Sequence, residues 1–145
     1  MDVSELRKRI LHSLDEARKE AAASRVRTDE AAQAFEVFLA DLAVPLVRQT
    51  AQVLSATATG EAFSVNTPAG SVRMVSDKSP QTFLELELDS TGSRTAVVGR
   101  MSYVPGRRGT VVEEQHIAGG KSVEQLTEQD VSEFLIAAVP KLVRL

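Results

Sequence analysis

The 145-residue chain has no cysteine, no tryptophan, one tyrosine, five phenylalanines and two histidines. Without cysteine there can be no disulfide, no thiolate metal ligand and no cysteine nucleophile, and a reducing compartment is favoured. His12 and His116 stand at no metal-ligand spacing, so no metal site is expected unless carboxylates complete one. So few aromatics cannot build base-stacking platforms. Neither charge sign dominates. The formal net charge is −3, with 8 basic and 9 acidic groups in residues 1–60, 7 and 7 in 61–121, and 2 and 4 in 122–145. A nucleic-acid partner would require a basic segment, and none exists. No run approaches the ~20 apolar residues of a membrane span. The polar start Met1–Arg9 leads into no apolar h-region. The expectation is a cytoplasmic protein with no membrane partner.

What is present reads as α+β. The clearest piece is Phe83-Leu84-Glu85-Leu86-Glu87-Leu88-Asp89. Leucines fall on one face, and carboxylates with Phe83 on the other, the mark of a half-solvated antiparallel strand. Around it lie further short strands at Ala62–Asn66, Ser71–Ser76, Arg94–Val104 and Thr110–Ile117. The central strand itself is expected over Thr82–Asp89. Each separator carries the proline or glycine that tight turns select, which predicts a meander of about five sequential strands. A four-residue loop Ser90–Ser93 would set Asp89 opposite Arg94, Leu86 opposite Val97 and Leu84 opposite Gly99. A one-residue slip would exchange the faces and is excluded.

Helices flank the meander. The first is expected from Asp2 to Ala23, with the stripe Val3, Leu6, Ile10, Leu14, Ala17, Ala21 at spacings of three and four. Its remainder is charged, so it is expected to lie on another element, a second copy or a partner. A break is expected at Ser24–Arg27, with Thr28 capping a second helix that buries Phe35, Phe38, Leu42, Leu46 and Val53. Pro45 either kinks that helix or starts a new one. Ala118-Gly119-Gly120 reads as a flexible exit. Thr127 to Asp130 resembles a capping box, opening a final helix with Val131, Phe134, Leu135 and Ala138 inward, packed on one sheet face. The domain reading is an N-terminal helical arm, 1–24, and one α+β domain, 28–145.

No catalytic constellation or cofactor motif assembles. Gly119-Gly120-Lys121-Ser122 matches the end of a phosphate-binding loop, but Gln115 stands where the motif needs glycine. Glu85 and Glu87, ~6.6 Å apart along one strand face, read better as cross-strand partners of arginines than as acid–base or metal-binding carboxylates. The expected function is a non-enzymatic interaction protein: an adaptor, accessory subunit or chaperone-like partner, in a homo-oligomer or with another protein. Its helix interface would be Val3, Leu6, Ile10 and Leu14. The alternative is a small-molecule or anion-binding module. There Arg107 and Arg108 at a hairpin tip, with Arg73, Arg94 and Arg100, would contact the ligand, and Gly99 would leave space in the core.

Overall fold

The leucine–carboxylate alternation forms the middle strand of a five-stranded antiparallel sheet. The computed structural model describes residues 2–57, 61–90, 95–107 and 109–143. Strands β1 (Phe63–Asn66), β2 (Ser71–Ser76), β3 (Phe83–Asp89), β4 (Ala96–Tyr103) and β5 (Val111–His116) follow one another in space as in sequence. The expected meander, and the α+β class, are therefore observed. Leu84, Leu86, Val72, Met74 and Val97 are fully buried on one face. Burying each such side chain contributes about 1.5–3 kcal/mol. Helix α2 (Val44–Ala56) lies against β1 and β2, and helix α3 (Glu128–Leu142) against β4. Their inward side chains join the leucine face in one core.

The β3–β4 register differs from expectation by two residues. Asp89 pairs with Ala96, Leu86 with Gly99, Glu85 with Arg100 and Leu84 with Met101. The connection is thus Ser90–Thr95, six residues instead of four. A two-residue slip leaves every side chain on its expected face, so the hydrophobic pattern could not detect it. Arg94 and Arg108 lie outside the described residues. Gly99 does not open a space. A Cβ there would sit 2.4 Å from Cζ of Phe134, so the α3 ring fills the site.

The helical half departs further. Helix α1 runs unbroken from Val3 to Phe38. Its N-cap is Asp2, whose Oδ1 accepts from the Glu5 N–H at 2.7 Å. The expected break at Ser24–Arg27 does not occur, because that segment holds neither glycine nor proline to stop a helix. Thr28 does not cap. Its hydroxyl donates to the Ser24 carbonyl at 2.9 Å, one turn back within the same helix.

Pro45 stands in the first turn of a further helix, α2, as the second of the two expectations has it, but no loop separates that helix from the one before. The chain winds through one π-helical segment, Leu39–Ala43, into α2, with Pro45 in the first turn. The Val44 N–H reaches the Leu39 carbonyl, five residues back. The wider turn accommodates the proline, which has no N–H and crowds the usual carbonyl. It also adds one residue to the period. The expected inward positions Leu42, Leu46 and Val53 give way to Ala43, Val47 and Leu54, each one residue later. Leu42 and Leu46 are half-buried at the margin, and Val53 is exposed.

After β5, Ile117–Gly119 forms a 3-10 turn, with left-handed backbone at Ala118, Gly119 and Gly120. The segment read as an exit forms a turn here, and glycine at two of the three left-handed positions lowers its cost. The capping box at Thr127 and Asp130 is present in both directions. Val131, Phe134, Leu135 and Ala138 are buried as expected.

Candidate functional site

Two surfaces could meet a partner: the sheet face away from the helices, and the N-terminal part of α1. The sheet face is built by register. Arg73, Glu85, Arg100 and Glu114 pair directly across β2, β3, β4 and β5, forming one row of alternating charge. Arg73 Nε donates to Glu85 Oε2 at 2.7 Å, and Arg100 Nη1 donates to Glu85 Oε1 at 2.9 Å. The same Arg100 donates through Nη2 to Glu87 at 2.6 Å and through Nε to Glu114 at 2.7 Å. One guanidinium thus serves three carboxylates.

Glu85 is only 5% exposed although no leucine surrounds it on this face. The two arginine side chains cover it, and the Arg73 guanidinium lies 4.2 Å from the centre of the Phe83 ring. The Arg100 pKa is raised above the ordinary guanidinium value, chiefly by its hydrogen bond to Glu114 and then by that to Glu87. The arrangement holds the sheet together. Both Glu85 and Glu87 spend oxygens on Arg100, and no group of three or more metal-ligating side chains occurs among the described residues. At the end of the face His116 Nε2 meets Asp89 Oδ2 at 3.2 Å.

Of the arginines expected to contact an anion, Arg73 and Arg100 come together, but as partners of carboxylates. Arg107 is exposed in the β4–β5 turn. The helix-interface residues are placed differently. Residues 2–27 are all exposed, a helical length of about 37 Å at 1.5 Å per residue. Val3 is 83% exposed, Leu6 48%, Ile10 50% and Leu14 48%. Leu11 and Val26 are also exposed, off the stripe. The stripe does not end with Ala21. It continues through Ser24 and Thr28 to Ala31, Phe35 and Phe38, which are buried in the domain core. One face of α1 is therefore core at its C-terminal end and unpartnered at its N-terminal end. The continuous spacing through Ser24 and Thr28 was legible in the sequence. Reading those polar residues as a break concealed it.

Several hollows also mark the surface of the described residues. A polar cleft of about 600 Å³ lies between Glu20, Ser24, Arg27 and Thr28 of α1 and the segments holding Thr95, Lys121 and Ser122. A mainly apolar groove of about 370 Å³ runs between α2 and α3, with Val53 and Ile136 exposed along it. A smaller hollow adjoins Tyr103 and Lys141. Lys141 donates to Glu113 at 2.8 Å, and this bond is the main reason that the Glu113 pKa is lowered and the Lys141 pKa raised.

Fold and surface together define an α+β meander domain with a projecting helical arm, and no helix among the described residues is long and apolar enough to cross a membrane. No protein-family model, curated protein or solved structure matches this chain.

Proposed function

We propose that this chain is a non-enzymatic interaction protein of the cytoplasm, an adaptor or accessory subunit that works through protein–protein contacts made by the α1 arm. The observation that supports it is the unburied stripe Val3, Leu6, Ile10 and Leu14 on a helix whose later turns are core. A helix so far from its domain keeps little support of its own. The ion pairs Arg9–Glu5 and Lys19–Asp15 contribute about 0.2–0.5 kcal/mol each, and isolated helices are marginal in water. Burying a leucine or isoleucine fully contributes about 1.5–3 kcal/mol. Roughly half of that remains available at Leu6, Ile10 and Leu14, because each is about half exposed. A partner helix on this stripe therefore stabilises arm and complex together.

The test is the full-length double variant I10E/L14E. Both positions lie outside the core, so the variant should still unfold cooperatively as a folded domain, its midpoint lowered only by what the partner contributes. Its solution mass, or its capture of a partner from native extract, should fall to the level of a lone chain. A parent that is monomeric and captures nothing, or a variant that assembles as the parent does, would overturn the reading. The anion-binding alternative has less behind it. An anion at Arg73 or Arg100 would have to displace carboxylates held at 2.6–2.9 Å, and Phe134 occupies the space beside Gly99.

A further inference from the structure

We infer that the polar cleft between α1 and the domain body binds a small sugar or polyol monophosphate, whose phosphate is held between Arg27 and Lys121. This site is separate from the apolar stripe of the arm. Its volume of about 600 Å³ falls within the ~300–1,000 Å³ of small-molecule sites and exceeds what a bare phosphate fills. Gly119-Gly120-Lys121-Ser122 does not complete a phosphate-binding loop, since Gln115 stands where that motif needs glycine. The fold uses these residues in another way. Left-handed backbone at Gly119 (φ 71°) and Gly120 (φ 88°) turns the chain after β5. Lys121 and Ser122 then line the cleft, and the α1 residues Ser24, Arg27 and Thr28 line it too. Spacings of three and four put Ser24, Arg27 and Thr28 on one helical face.

Both cations can be released to a ligand without stranding a carboxylate. Arg27 is held by Glu20 at 3.1 Å, but Glu20 is 74% exposed and is solvated when the pair opens. Lys121 meets Asp130 at 3.3 Å. Asp130 keeps the Thr127 N–H at 3.0 Å when Lys121 leaves, and that backbone bond, ahead of Lys121, is the main reason its pKa is lowered. The sheet face differs on this point. Glu85 is 5% exposed, so an anion that took Arg73 or Arg100 would leave a buried carboxylate unpaired.

The lining also selects the rest of the ligand. No aromatic side chain lines the cleft among the described residues, so a nucleotide base would find nothing to stack on. Hydroxyl and amide groups of Ser24, Ser122 and Gln125 can exchange hydrogen bonds with a polyol. The Thr28 hydroxyl donates to the Ser24 carbonyl, which leaves its oxygen as an acceptor. Glu20, once released, accepts from ligand hydroxyls, and its charge disfavours a second phosphate.

The test is calorimetry on the full-length chain with glycerol 3-phosphate and ribose 5-phosphate, and with inorganic phosphate and ribose as controls. The sugar or polyol phosphate should bind, and ribose should not. Arg27→Met and Lys121→Met each remove charge-assisted hydrogen bonds and should each weaken binding about tenfold. Both side chains are about half exposed, so both variants should fold, which cooperative melting checks. Arg107→Gln, at an exposed arginine outside the cleft, should bind as the parent does. Folded Arg27→Met and Lys121→Met variants that bind like the parent, or an equal loss in Arg107→Gln, would overturn the site. Inorganic phosphate binding as tightly as the phosphate esters would overturn the sugar or polyol assignment, and no binding by any phosphate would overturn the whole inference. I10E/L14E should bind the ester unchanged, so failure of the cleft and failure of the arm reading are told apart.

Discussion

Gly99→Ala is the sharpest probe of the tertiary structure, because it adds one methyl where α3 meets the sheet. The new Cβ would lie 2.4 Å from Cζ, 2.5 Å from Cε2 and 3.0 Å from Cε1 of Phe134. Carbon atoms rest at about 3.5–4.0 Å, so the ring must retreat on the order of 1 Å. Phe134 is 5% exposed within the core cluster, and its retreat moves α3. Overpacking of this kind costs about 1–3 kcal/mol. For a chain of this size that lowers the melting midpoint by roughly 3–12 °C. Urea unfolding should show the loss as a lower midpoint at unchanged slope. Phe134→Leu, costly by itself, makes room for the methyl. The double variant should then be more stable than the sum of the single losses predicts, by about 1 kcal/mol. Gly99→Ala as stable as the parent, or losses that add within about 0.5 kcal/mol, would refute the placement of Phe134 over Gly99.

Two further perturbations test the electrostatics. Glu85→Ala should cost about 1–3 kcal/mol in urea unfolding, less than the 3–5 of a deeply buried pair. Arg73 and Arg100 keep 37% and 26% of their side-chain surface exposed, and Arg100 retains Glu87 and Glu114; a loss below about 0.5 kcal/mol would mean that the row is surface decoration. The Lys141–Glu113 bond predicts pH dependence at both extremes. The Glu113 pKa is lowered below 4.5, so its stabilisation is present above that pH and fades as pH falls through the lower folded value. The Lys141 pKa is raised above 10.5, so its stabilisation is whole below that pH and fades as pH rises through the higher folded value. Lys141→Met should flatten the melting profile at both ends. Some acid dependence should remain, from Asp130, whose pKa is lowered first by the Thr127 backbone hydrogen bond. An unchanged profile would remove the bond from the account.

The sheet was legible because its determinants are local. Leu84, Leu86 and Leu88 alternate with carboxylates, and turn residues punctuate each strand, so strand order and facing need no long-range information. The capping box at Thr127 is local in the same sense. The π segment was not legible. Leu42, Leu46 and Val53 fit the helical period, yet the wide turn that accommodates Pro45 moves the inward face to Ala43, Val47 and Leu54. A proline signals trouble in a helix without saying whether the chain will kink, stop or widen.

The candidate surfaces divide along the same line. By itself the sequence determined the stripe Val3–Leu6–Ile10–Leu14 and the faces of the central strand, because residue spacing and backbone period together decide which side chains share a face. Only the tertiary structure decided whether those faces are covered. It buries Ala31, Phe35 and Phe38 and leaves the earlier turns of the same helix in solvent. It also selects the β3–β4 register. Slips of two residues preserve every facing and so look alike to a pattern. They are separated by non-local contacts: Arg100 beside Glu85, and Phe134 in the space above Gly99.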